Sequence, residues 1–127
     1  MLIELEYKID ISVNDMYWTT GKGKYLKKIP LQLRAKIIKD VRAIKNDLPV
    51  DTTLDMEIWA SEDWLCKDGS AKKKDLDNRL KFLIDSVFKG LEMDDKYVFD
   101  IHAHKQQSEK LEGTVIMIKP RHDKEVW

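Results

Sequence analysis

Between residues 76 and 91, in the stretch LDNRLKFLIDSVFKGL, apolar side chains recur at Leu76, Leu80, Leu83, Ile84, Val87, Phe88 and Leu91. This is the 3.6-residue period of a helix with one buried face, and it is the strongest period in the chain. Such a helix needs an apolar surface to lie on, and the flanking segments read as strands that supply it. Residues 2–13, LIELEYKIDISV, alternate with Ile3, Leu5, Tyr7, Ile9 and Ile11 on one side. TTLDMEIWA alternates again, with Leu54, Met56, Ile58 and Ala60 facing in. YVFDIHAHK and EGTVIMIK predict two closing strands joined by the polar turn QQSE. A second helix is predicted from Pro30, whose missing N–H costs nothing in a first turn. It carries Leu33, Ile37, Val41 and Ile44 on one face, and Pro49 stops it. Gly90 suits the C-terminal end of the 76–91 helix.

The order strand-helix-strand-helix-strand-strand predicts an α+β fold around one mixed or antiparallel sheet. Residues 1–127 form a single domain, with PRHDKEVW (120–127) as a loose tail. Cys66 is the one cysteine, so no internal disulfide forms and a reducing compartment is the simpler expectation. No segment approaches the ~18 apolar residues of a membrane span, and the N-terminus is no signal peptide. The expectation is a cytoplasmic protein without membrane partners. Net charge is zero, which argues against a uniformly basic nucleic-acid binder. The charge is nevertheless segregated: lysines crowd GKGKYLKK (21–28) and KKK (72–74), while carboxylates dominate residues 92–95.

The chemistry concentrates around the 76–91 helix. Asp75 and Asp77 flank Leu76 at its start. They have two readings: aspartate is a favoured N-cap and suits the helix dipole, and paired carboxylates also suit a hard cation. Lys81 lies four residues after Asp77 and Asp85 four further on, so the three share one side of the helix. Asp94 and Asp95 follow the helix. Three aspartates and a lysine suffice for metal-assisted phosphodiester hydrolysis, the lysine offsetting charge on the phosphorane. His102 and His104 project from one strand face beside Asp100, either as a metal site or as a solvated face, and no zinc spacing accompanies them. Tyr17, Trp18 and Trp64 fall in long loops, where they either stack on bases or anchor the loops. There is no P-loop, dinucleotide fingerprint or nucleophile elbow.

Taken together, KKKDLDNRLKFLIDSVFKGLEMDDKYVFDIHAHK resembles the core of the RusA family of Holliday-junction resolvases. That family shows a D-x-D-N at a helix start, a lysine four residues on, a mid-helix aspartate, a double aspartate after the helix and a lysine on the next strand. Here these positions are Asp75, Asp77, Asn78, Lys81, Asp85, Asp94, Asp95 and Lys105. Upstream, SVNDMYWTTGKGKYLKK resembles the family's asparagine, aromatic and basic loop through Asn14, Tyr17 and Trp18. The resemblance covers residues 2 to about 118.

It implies a homodimeric, Mg²⁺-dependent endonuclease, with Mn²⁺ as a substitute, that cuts four-way DNA junctions by paired nicks, commonly in phage or prophage recombination. Carried over by position, Asp75, Asp77 and Asp95 are the metal ligands, Asp94 the alternative to Asp95, Asp85 a further acidic candidate and Lys81 the electrostatic catalyst. Asn14, Tyr17, Lys22, Lys24, Lys27, Lys28, Lys72, Lys73, Lys74 and Lys105 are the candidate DNA contacts. The competing reading is a non-catalytic accessory protein that binds branched DNA. A helix from Asp77 to Leu91 separates its two acidic ends by roughly 20 Å at about 1.5 Å per residue. Asp75 and Asp77 are therefore expected to meet Asp95 only across a dimer, through antiparallel packing of this helix on its two-fold mate.

Overall fold

The computed structural model describes residues 1–21 and 23–121; the expected loose tail from residue 122 onward lies outside them. Along the chain run β1 (Leu2–Leu5), β2 (Tyr17–Thr20), β3 (Gly23–Leu26), α1 (Lys28–Arg42), β4 (Leu54–Glu62), α2 (Asp77–Leu91), β5 (Val98–Gln107) and β6 (Gly113–Pro120). Single 3-10 turns occupy Val13–Asp15 and Asp95–Tyr97. The main sheet is mixed, in the order β1-β6-β4-β5, and β2 and β3 form a separate antiparallel hairpin.

The inward alternation of β4 is strict: Leu54, Met56, Ile58, Ala60 and Glu62 are all buried. β4 runs parallel to β5 and antiparallel to β6. Parallel neighbours cannot be joined by a tight turn, so the chain crosses over through α2 between them. The two closing strands are thus not partners of each other. β4 lies between them, and the link after β5 begins with Ser108 N–H donating to Glu62 O at 2.9 Å.

The first strand is shorter than the alternation predicts. The β1–β6 ladder ends at Leu5 opposite Thr114, because β6 itself begins at Gly113. Beyond that point Thr114 Oγ1 donates to Tyr7 O, and Ile9 and Ile11 still bury into the core without sheet pairing. The loop expected after residue 13 contains the β2–β3 hairpin, a two-stranded ribbon that the sequence lacks a clear period to announce.

The core closes between the sheet and the two helices, with Ile3, Ile37, Val41, Met56, Ile58, Phe82, Val87, Ile116 and Ile118 at its centre. Arg34 on α1 donates through Nε to the buried Ser86 Oγ of α2 at 3.1 Å and lies over the Phe82 ring. Gly90 serves packing rather than termination. The helix ends at Glu92, which takes the left-handed conformation (φ 56°), whereas Gly90 lets α2 approach α1 so closely that a Cβ would sit 2.9 Å from Val41 Cβ. Gly90→Ala is therefore expected to cost about 1–3 kcal/mol in a urea unfolding titration. The cost should shrink only in part when Val41 is also alanine, since that removes the Cγ1 contact at 3.0 Å and keeps the Cβ contact.

Candidate active site

The candidate carboxylates Asp75, Asp77, Asp85, Asp94 and Asp95 and the candidate lysine Lys81 lie along α2 and the segments on either side of it. At the helix start, the N-cap position is Leu76, and no side chain caps the helix. Asp75 and Asp77 are both exposed. Asp75 accepts from Asn78 Nδ2 at 3.3 Å, and Asp77 makes no side-chain hydrogen bond or ion pair among the described residues. Capping, the plainer explanation of these aspartates, is thus not the use the fold makes of them.

One turn on, Lys81 Nζ lies 3.4 Å from Asp85 Oδ2, with the lysine side chain 60% exposed. After the left-handed Glu92 the chain doubles back. Asp94 caps the following 3-10 turn by accepting from Lys96 N–H at 2.9 Å, and Asp95 comes against Asp85. Loss of solvent raises the Asp95 pKa above the usual carboxylate value, and its hydrogen bond with Asp85 and the charges of Asp85 and Asp94 raise it further; Lys81 pulls it the other way. Asp85, Asp94 and Asp95 share a shallow groove of about 180 Å³ with Phe88, Lys89 and Met93.

The structure thus brings Lys81, Asp85, Asp94 and Asp95 together and leaves Asp75 and Asp77 apart from them. The connection after the helix returns further than its length suggests, reaching Asp85. Asp77 and Asp85 remain eight residues apart, about 12 Å of helix rise. Among the described residues no three His, Cys, Asp or Glu side chains of one chain converge as a metal site. That also applies to the histidines: His104 Nε2 lies 2.7 Å from Glu57 and stacks on Trp59, and Asp100 accepts from Arg121 at 2.9 Å.

The candidate DNA contacts divide. Lys27 and Lys28 are exposed at the start of α1, Lys73 is exposed beside Asp75, and Asn14 is exposed in the first 3-10 turn. Tyr17 packs partly against the core. Lys22 and the side chains of Trp18 and Lys24 lie outside the described residues. Lys72 and Lys74 fold back onto Asp63 and Glu62, each at 3.0 Å, and Lys105 Nζ donates to Lys74 O at 2.7 Å. Trp64 is a packing anchor: it is buried, its Nε1 donates to Ala60 O at 2.9 Å, and Arg79 and Lys105 lie over its ring.

The pair at the centre of that network, Glu62 and Arg79, escapes the sequence reading. Both are buried, Glu62 accepts from Arg79 through both oxygens, and Arg79 Nη2 also reaches Asp10 at 3.0 Å. Burial would raise the Glu62 pKa, but the bonds from Arg79 and Lys74 outweigh it and hold the carboxyl below its usual range. A signal was present: Glu62 continues the inward phase of β4, and Arg79 sits three residues after Leu76 on the apolar side of α2. Opposite charges on two facing apolar surfaces announce a buried pair.

An α+β domain whose one long crossover helix displays carboxylates and an exposed lysine has the side chains of a phosphodiester-cleaving enzyme. Residues 8–119 match the family described as endodeoxyribonuclease RusA, and the chain belongs to that family. It is a family of endonucleases that act on Holliday junctions in DNA recombination. No curated protein matches the chain significantly. No helix among the described residues is long and apolar enough to cross a membrane.

The Asp95 environment has a measurable consequence. A carboxyl whose folded pKa is raised destabilises the fold when ionised, at pH values above its unfolded pKa, and that penalty fades as pH falls into the acid range. Asp95→Asn is therefore expected to raise the thermal midpoint at pH 7 and to leave it nearly unchanged at about pH 4, near the ordinary pKa of an exposed carboxyl. Melts at the two pH values check this, and a lower midpoint at pH 7 would contradict the crowding of Asp95 by Asp85.

Proposed function

We propose that the protein acts as a homodimeric, Mg²⁺-dependent endonuclease that resolves four-way junctions by paired nicks, each site combining Asp75 and Asp77 of one subunit with Asp95 of the other. The observation that carries this reading is that carboxylates flank both ends of α2 without capping it: neither Asp75 nor Asp77 caps the helix start, and Asp95, beyond the helix end, is pressed against Asp85. The donor chemistry, all carboxylate oxygen, fits a hard divalent cation and no soft one. Asp94 remains the alternative to Asp95.

When bound, such a cation supplies a polarised phosphate and an acidified water. The chain's own residues do the rest. Lys81, tethered among the described residues by Asp85 at 3.4 Å, is free to swing to a phosphate oxygen and offset the charge that builds there. Asp85 keeps that ammonium aimed at the acidic face when no substrate is present. Lys27 and Lys28 begin a helix with no acidic residue in its first turn, so the positive dipole end and both ammonium groups favour a polyanion. Lys73 adds a further exposed cation beside Asp75. Antiparallel packing of α2 on its two-fold mate gives two equivalent sites, which suits symmetric nicking of two strands.

A synthetic four-way junction tests the reading. Cleavage is expected with Mg²⁺ or Mn²⁺ and not in EDTA, and Asp77→Asn should abolish it while keeping junction binding. Lys81→Ala should fold normally and cut about 10²-fold or more slowly, the scale of losing one electrostatic stabiliser. Mixing inactive Asp77→Asn with inactive Asp95→Asn should restore nicking of a single strand, because each heterodimer regains one intact site. Full cleavage in EDTA would remove the metal, and failure of the mixture would remove the shared site.

A further inference from the structure

We infer that Glu62, Arg79 and Lys74 form a positioning clamp that presents Asp75 and Asp77 to the metal; this rests on the metal site proposed above. Lys74 directly precedes Asp75 and Arg79 follows Asp77 by two residues, and both cations close on the one carboxylate of Glu62. The segment between them is therefore pinned at both ends from below while its two aspartates face outward, exposed.

The backbone is held from the sides as well. Lys105 Nζ donates to Lys74 O at 2.7 Å, Lys74 N–H to Lys72 O at 2.8 Å, and Lys72 N–H to Trp64 O at 2.9 Å. The Trp64 ring lies under Arg79 at 4.8 Å and Lys105 at 4.7 Å, so both cations keep their height over one rigid surface. Asp10, from the segment after β1, takes the remaining edge of Arg79 at 3.0 Å. A helix start normally gains its order from a capping side chain. Here Leu76 offers none, and the clamp replaces it.

Stability alone does not call for this arrangement. A buried ion pair is often no more stabilising than apolar residues of the same size, whereas breaking it by removing one partner is costly. What an ion pair of fixed geometry adds is position, the property a metal-ligating carboxylate needs from its supporting shell. Glu62, Arg79 and Lys74 touch neither metal nor DNA in this role; they act through Asp75 and Asp77.

The test reads metal binding directly. Mn²⁺ alone is titrated into the full-length protein and free ion is followed by its EPR signal, alongside Mg²⁺ titrations of junction cleavage. The proteins are wild type, Glu62→Gln, Arg79→Lys, Lys74→Met and Ile118→Val, the last a buried change toward the other end of β4. Lys74→Met is expected to fold, since its side chain is 27% exposed, and it decides the matter if Glu62→Gln does not. Weakening of Mn²⁺ binding by about 10- to 100-fold is expected for Glu62→Gln and Lys74→Met, the usual scale for lost outer-shell partners. Arg79→Lys, which keeps the charge, should recover part of that loss, Ile118→Val should match wild type, and junction binding in EDTA should persist throughout. Wild-type Mn²⁺ affinity in Lys74→Met would overturn the clamp. A wild type that binds no Mn²⁺ and cleaves no junction would overturn the proposed metal site itself.

Discussion

A carboxylate with almost no access to water sits at the end of β4, and the two cations that neutralise it come from the segment that opens α2. Glu62 could not stay ionised there alone, because a buried carboxylate without partners is strongly disfavoured. Arg79 and Lys74 make the position tenable, and in doing so they fix where α2 starts relative to the sheet. The crossover that follows depends on this. α2 spans the parallel pair β4 and β5, and the same point on β4 receives Ser108 from the link between β5 and β6. One end of one strand thus sets the entry of the helix and the departure of the connection from β5 to β6.

Along α2 the fold separates two kinds of surface by phase. One side carries Phe82, Leu83, Ser86, Val87 and Gly90 into the core and against α1. The other carries Asp77, Lys81 and Asp85 toward solvent, and the left-handed Glu92 turns the chain so that Asp95 joins that side. The result is a row of like charges with Lys81 set among them and Lys89 at the edge of the groove that Asp85, Asp94 and Asp95 share. Such a row costs stability in isolation, and regions where charge is left uncompensated are where substrates and cations find purchase.

The strand and helix periods were legible because burial imposes them locally: β4 matches its alternation residue for residue, whereas the buried face of α2 is turned toward Arg79, Phe82, Ser86 and Gly90 and leaves Leu76, Leu80 and Ile84 only half-buried. The pairing of strands was not. QQSE reads as a turn, yet β4 separates the two strands around it, because parallel and antiparallel neighbours present the same alternation to the core. The length of β1 was also hidden, since Ile9 and Ile11 keep the inward phase after the ladder has run out of partner at Gly113. Gly90 reads as a stop signal and proves to be a contact with Val41, a distinction that depends on a helix fifty residues away in sequence.

What the sequence by itself determined was the α+β class, the inward phase of β4 and the row of acidic and basic side chains along one helix, all of which follow from local periodicity. Family membership was legible for the same reason, being carried by spacing. Tertiary structure alone decided which charges remain available. It tied Lys72, Lys74 and Lys105 into ion pairs and backbone contacts, kept Lys27, Lys28, Lys73 and Lys81 exposed, brought Asp95 to Asp85 and held Asp77 two turns away. A charge's partner is set by distance in three dimensions, and residues 62, 74, 79 and 105 come within bonding reach only once the sheet and its crossover helix have formed.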